Sequence, residues 1–213
     1  DCLLSRGLGD VYKRQLYNKG TLRVIQLFKM AELSTPVCDF GQKAHDFSLK
    51  GTDDRIWAMA DCAGKKGLLV MFICNHCPYV KALLEKLVVE TDVLAMKGIG
   101  CVAINPNDYI SFPEDSFDNM KKVSKKHGFG FPYLIDDSQE VAKMFGSVCT
   151  PDFFGYNAKL ELQYRGRFDD RGVKTINNPN QSDLFKAMFE ISRTGSGPLE
   201  QKASIGCSIK WRK

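Results

Sequence analysis

Long apolar runs are missing from this sequence. Among its 213 residues the longest unbroken apolar stretch is Leu68 to Cys74, seven residues, against the ~20 that a bilayer-spanning helix needs. No membrane span is expected. Histidine is scarce, with only His45, His76 and His127. The pair Cys74–Cys77 has no second Cys-x-x-Cys and no His-x-x-x-His beside it, so a four-ligand zinc site lacks half its donors. Covalent haem attachment wants a histidine after the second cysteine, where Pro78 stands. A Gly-rich phosphate loop, a Ser/His/Asp arrangement and an aromatic–basic stripe are all lacking, so nucleotide, hydrolase and nucleic-acid functions have no support in the sequence.

What is present is ordinary globular composition, 44% apolar and 26% charged, with a formal charge of +5. That charge is unevenly placed. Residues 1–29 hold six basic and two acidic groups, while residues 30–213 hold 24 and 23, so the body of the chain is nearly neutral. Residues 1–29 show no sustained period and no apolar core of the kind a signal peptide requires. They read as a non-native or disordered tail, and the domain is expected to run from Met30 to Lys213. Without Cys2 there are seven cysteines. An odd number with no signal pattern suits a reducing, cytoplasmic compartment in which most thiols are free and a few are chemically active.

The order of elements follows from local patterns. Phe47–Leu49 and Ile56–Met59 around Gly51-Thr52-Asp53-Asp54 form a hairpin. Leu68–Ile73, six apolar residues after Gly67, is a strand buried on both faces. Val80, Leu83, Leu84, Leu87 and Val88 then make a one-sided helical stripe, with Pro78 in the tolerated first turn. A second buried strand covers Cys101–Ile104. A charged helix runs from Pro113 to His127 and stops at Gly128. Next come a strand at Pro132–Ile135, a short helix from Ser138 as N-cap to Phe145, and a hairpin of Phe153–Tyr156 with Leu160–Tyr164. A last amphipathic helix spans Ser182–Arg193, and residues 195–213 form a Gly/Ser/Pro tail. This order predicts one α/β domain with a mixed central sheet and helices on both faces.

The chemistry is concentrated in Cys74-Asn75-His76-Cys77, at the junction of the buried strand and the helix. Two thiols three positions apart at a helix start can close a small disulfide ring. The helix N–H groups and the positive end of its dipole favour an anion there and lower a thiol's pKa below the ~8.5 of free cysteine. His76 can further stabilise a thiolate. The expected reaction is attack of a Cys74 thiolate on a disulfide, followed by release as Cys77 closes on the mixed intermediate.

Phe72-Ile73-Cys74-Asn75-His76-Cys77-Pro78-Tyr79-Val80-Lys81, Thr150-Pro151, Tyr164-Arg165-Gly166-Arg167-Phe168-Asp169-Asp170 and Ser204-Ile205-Gly206-Cys207-Ser208-Ile209-Lys210-Trp211 together resemble the thioredoxin-like superfamily. They are closest to its peroxiredoxin-like branch, the alkyl hydroperoxide reductase/thiol-specific antioxidant proteins. The resemblance implies a thioredoxin-like fold and a cis-proline, Pro151, that faces the active thiols with Thr150 beside it. It implies thiol–disulfide exchange or, as the alternative, reduction of peroxides through a cysteine sulfenic acid. The branch carries a proline seven positions and a hydroxyl residue three positions before its peroxide-attacking cysteine. Gly67 and Met71 stand at those places for Cys74, and Val70 and Cys74 for Cys77, so the peroxide-orienting hydroxyl is missing there.

Arg165 or Arg167, and in the first instance Arg167, can stabilise a thiolate. Cys207 is either a resolving thiol that reaches back to Cys74 or a tail cysteine packed through Ile205, Ile209 and Trp211. Cys149 is a second candidate partner, while Cys38, Cys62 and Cys101 read as structural. The implied partners are a disulfide or peroxide substrate and a dithiol electron donor such as a thioredoxin. No organic cofactor or metal is required, and no nucleic acid or membrane is implied. A non-enzymatic redox-sensing or metal-binding adaptor built on the same loop is a further alternative.

Overall fold

Alternation along Leu68–Ile73 divides the molecule into two cores. Leu69, Met71 and Ile73 point to one side of the sheet, while Leu68, Val70 and Phe72 point to the other. A strand buried on both faces has to be apolar at every position, which is why this run is unbroken. The computed structural model describes residues 32–170, 172–173 and 181–213. The tail read at residues 1–29 lies outside the described residues.

Among those described, the strands are β1 (Glu32–Ser34), β2 (Ser48–Gly51), β3 (Ile56–Ala58), β4 (Gly67–Phe72), β5 (Ile99–Asn105), β6 (Tyr133–Ile135), β7 (Cys149–Thr150), β8 (Asp152–Asn157), β9 (Leu162–Tyr164) and β10 (Ile205–Ser208). The helices are α1 (Met59–Cys62), α2 (Pro78–Met96), α3 (Phe117–His127), α4 (Glu140–Met144) and α5 (Asp183–Thr194), with a 3-10 turn at Pro113–Asp115. β3–β2–β6–β5 and β4–β8–β9 are hydrogen-bonded in those orders. The two groups meet where β5 runs beside β4 and Ile73 N–H donates to the Ile104 carbonyl. The result is a seven-stranded mixed sheet, parallel at β5–β6 and antiparallel in the other registered pairs.

Helices α2, α3 and α5 cover one face through Leu83, Leu87, Met120, Leu184 and Met188. Cys62 of α1 and Val141, Ala142 and Phe145 around α4 cover the other. The α/β architecture read from the sequence is the architecture observed. β1, β10 and β7 form a separate small antiparallel sheet in that order, and it borders the Cys74–Cys77 loop.

Three local expectations are corrected. The helix expected over Pro113–His127 is broken at Ser116, where ψ is 153°. The cap expected from Ser138 is displaced by one residue. Gln139 takes the N-cap in the left-handed region (φ 64°), and Asp136 Oδ2 accepts the Ala142 N–H at 2.8 Å. The residues after Gly195 are not merely a tail, because Ile205–Ser208 supply the middle strand of the small sheet.

Arg165 differs in its surroundings from a solvated hairpin arginine. It is buried, its Nη2 donates to the Gly146 carbonyl at 2.7 Å and to Asp152 Oδ2 at 3.2 Å, and its guanidinium lies over the Phe154 ring at 4.5 Å. Burial pushes the Asp152 carboxyl up to about 6 despite this partner. Arg165→Met leaves a buried carboxylate unpaired, and should cost about 3–5 kcal/mol in urea unfolding near neutral pH. Because the unpaired carboxyl has a raised folded pKa, the penalty should shrink as pH falls towards the ordinary carboxylate range, where Asp152 is protonated in both states.

Candidate active site

The end of β4 delivers Cys74 to a loop, and α2 begins immediately after Cys77. Cys77 is the N-cap, with φ −63° and ψ 124°, and Pro78 occupies the first helical position. There its missing N–H leaves no helical bond unmade. Cys74, Cys77 and Cys207 are all buried, and the described cysteines are free thiols.

The sulfurs converge on one another and on Thr150. Cys74 Sγ is 3.2 Å from Thr150 Oγ1, and Cys77 Sγ is 3.1 Å from the Thr150 carbonyl and 3.1 Å from Cys207 Sγ. As a thiol, Cys77 has that carbonyl to donate to. As a thiolate it is met by the Cys207 and Cys74 thiols and by the N–H groups of Val80 and Cys207. Four donors against one acceptor favour the anion, and they hold the Cys77 thiol well below the ordinary cysteine range. Cys74 moves the other way, raised by burial, by its contact with Cys77 and by the charge of Asp115. Cys207 is also raised, since it donates to Cys77. The helix end acts on Cys77, the residue at the cap, through the Val80 N–H.

The loop itself hangs on Asp115, which the sequence reading did not single out. Its Oδ1 accepts the N–H groups of Asn75 at 2.7 Å and His76 at 3.3 Å. Its Oδ2 meets His76 Nδ1 at 2.6 Å and Asn107 Nδ2 at 2.7 Å. His76 stacks on Phe112 with the ring planes 6° apart, and Tyr133 donates from its hydroxyl to Asn75 Oδ1 at 3.0 Å. Atoms of Cys74, His76 and Asp115 able to bind metal lie within 4.8 Å of one another. Asp115 Oδ2 and His76 Nδ1 already satisfy each other there.

Comparison with known proteins adds to this geometry. Residues 40–169 match the model of the AhpC/TSA family. The chain belongs to the AhpC/TSA family. As a family member of this fold it is a thiol-dependent oxidoreductase. An uncharacterized conserved protein from Geobacillus kaustophilus is similar at 39% identity and a TM-score of 0.80, over 86% of this chain and 97% of that one. A hypothetical protein from Sinorhizobium meliloti 1021 is similar at 37% identity and a TM-score of 0.79, over 84% and 97%. The peroxidoxin BcpB of Mycobacterium tuberculosis, at 13% identity, shares the fold with a TM-score of 0.52 over 73% of this chain and 94% of its own. No curated protein matched the chain. The thioredoxin-like fold and the family expected from the sequence are those found.

The remaining residues expected at this family member's site fall in different places. The Thr150–Pro151 bond is cis, and Thr150 touches both loop sulfurs. Cys149 Sγ turns to the Pro151 carbonyl at 3.5 Å, and burial raises its thiol. Arg167 Nε pairs with Asp183 Oδ2 at 2.8 Å, and the residue lines a cavity of about 320 Å³ with Tyr79, Leu83, Pro151 and Ile205. Cys207 is buried with Ile209, whereas Ile205 and Trp211 are exposed. Burial also pushes up the structural thiols, Cys38 to about 11 and both Cys62 and Cys101 to about 12.

Two predictions follow from these contacts. Thiolate absorbance near 240 nm should show one thiolate per chain at mildly acidic pH, where free cysteine is protonated. Cys77→Ser should abolish it, and Cys207→Ala should move its titration upward by removing a donor. Asp115→Asn keeps the size but removes the charge from these bonds, and should lower the urea midpoint by an amount equivalent to about 1–3 kcal/mol.

Proposed function

We propose that this family member reduces disulfides by thiol–disulfide exchange at Cys74 and Cys77. The observation that carries this reading is the convergence on Thr150, beside cis-Pro151, of the two loop thiols, Cys74 at its hydroxyl and the helix-capping Cys77 at its carbonyl. The Cys77 thiolate takes the proton of Cys74, and the Cys74 sulfur attacks a substrate disulfide. One S–S bond breaks as a mixed disulfide forms, and a substrate thiolate leaves. Cys77 then attacks the Cys74 sulfur, releases the second substrate thiol and leaves Cys74–Cys77 oxidised. A dithiol such as a thioredoxin returns two electrons. His76, fixed by Asp115, steadies the loop on which Cys74 stands. The cavity beside Pro151 and Arg167 is the place for the substrate chain. Free buried thiols suit a reducing compartment such as the cytoplasm. Among the described residues no helix is long and apolar enough to cross a membrane.

One contact favours a second reading, peroxide reduction. The hydroxyl lacking three positions before either cysteine is supplied across the fold by Thr150, 3.2 Å from Cys74 Sγ. There the Cys74 thiolate would take one peroxide oxygen, becoming a sulfenic acid while the alcohol or water leaves.

Paired assays separate the two. Reduction of a protein disulfide and thiol-dependent loss of hydrogen peroxide should be measured on the full chain, with Cys74→Ser and Cys77→Ser in both. Under the exchange reading, Cys74→Ser should lower disulfide reduction by at least about 10³-fold, as expected when the attacking sulfur is lost. Cys77→Ser should trap substrate on Cys74. If Cys74→Ser leaves disulfide reduction intact but abolishes peroxide loss, the second reading replaces the first. Activity independent of Cys74 in both assays, or stoichiometric zinc or copper in the purified protein, would point to the adaptor instead.

A further inference from the structure

The Cys207 sulfur lies 3.1 Å from Cys77 Sγ, the second cysteine of the loop. One partner borders regular structure and the other lies within it. Cys77 caps α2. Cys207 sits in β10, opposite Glu32 of β1 and Thr150 of β7, and so is hydrogen-bonded into a sheet on both sides.

The neighbouring Gly206 permits this approach, since a Cβ there would meet the Thr150 carbonyl at 2.3 Å. Further bonds fix the segment. Ser204 Oγ donates to the Pro151 carbonyl at 2.9 Å, and the Lys210 N–H donates to Asn107 Oδ1 at 2.9 Å. Cys74, by contrast, stands in the connection between β4 and α2, outside any helix or strand. Cys77 is thus the middle sulfur, with a loop thiol on one side and a strand thiol on the other.

We infer that Cys77 is the shared centre of a three-thiol relay, in which Cys207 resolves the Cys74–Cys77 disulfide and the stored product is Cys77–Cys207. The relay rests on the exchange reading and adds one step to it. The Cys207 sulfur attacks Cys77, the Cys74–Cys77 bond breaks, and the Cys207 proton passes to the departing Cys74 sulfur. One S–S bond forms as one breaks, so no outside oxidant or reductant enters. Over a turnover the substrate disulfide takes two electrons from Cys77 and Cys207. Cys74 returns as a free thiol, while the oxidised pair joins the start of α2 to the middle strand of the small sheet.

Disulfide mapping tests the relay. Reduced full-length chain is oxidised in one arm with diamide and in the other with an equimolar glutathione-capped peptide disulfide. Each is quenched with acid and N-ethylmaleimide, digested and mapped by mass spectrometry. Both arms should yield Cys77–Cys207 with Cys74 alkylated. Cys207→Ser should stop at Cys74–Cys77, raising that species by about tenfold or more over wild type. Cys74→Ser should still form Cys77–Cys207 with diamide, which shows that the variant retains the pairing geometry.

Wild-type chain that ends as Cys74–Cys77 with Cys207 alkylated, or as Cys74–Cys207, overturns the relay and leaves exchange standing. If diamide forms Cys77–Cys207 but the peptide disulfide leaves all three thiols alkylated, the exchange reading and the relay's first step fall together. The Cys77–Cys207 pairing alone then survives.

Discussion

Everything around the active loop depends on one buried carboxylate. Asp115 accepts two successive backbone N–H groups of the loop, binds the His76 ring and receives Asn107. Asn107 in turn accepts the Lys210 N–H from the residues that follow β10. A single fully buried carboxylate thereby ties the Cys74–Cys77 loop to the residues that follow β10. A charge so placed is tolerable only when fully hydrogen-bonded, and here the loop's own amides supply the bonds. The geometry of the thiols and the solvation of Asp115 are the same set of contacts.

The charge distribution among the sulfurs follows from that framework. Asp115 places negative charge on the side of Cys74, while the helix cap and two thiol donors surround Cys77. The surroundings therefore favour the anion most at the helix-capping sulfur of Cys77. In the proposed exchange, attack by Cys74 requires a proton to move between neighbours, not to leave through solvent. Buried thiols that share a proton titrate as a group, and the chemistry of Cys74 cannot be assigned to Cys74 alone.

How far the sequence revealed this depended on whether a feature was periodic. The doubly buried β4, the stripe of α2 and the Cys-Asn-His-Cys junction were legible because burial imposes a pattern on every residue in them. Asp115 was not, since a Pro-Glu-Asp triplet before a charged helix looks like a solvated turn and only the fold brings Asn75 and His76 to it. β10 was hidden for a similar reason. Ile205–Ser208 is short and lies among polar residues, and its partners Glu32–Ser34 and Cys149–Thr150 are far away in sequence. The burial of Arg165 is likewise decided by Asp152 and Phe154, which nothing local to the arginine announces.

Cys77 and Cys207 are 130 positions apart, and that separation bears on how the protein is made. A chain emerging from the ribosome presents both loop cysteines long before the strand that packs against them exists. Until residues 205–208 arrive, the small sheet lacks its middle strand, and two of the four donors to Cys77, the thiol and the N–H of Cys207, are absent. Closing so long a segment is entropically costly and is accomplished late. The set of donors around Cys77 is therefore complete only when β10 is seated.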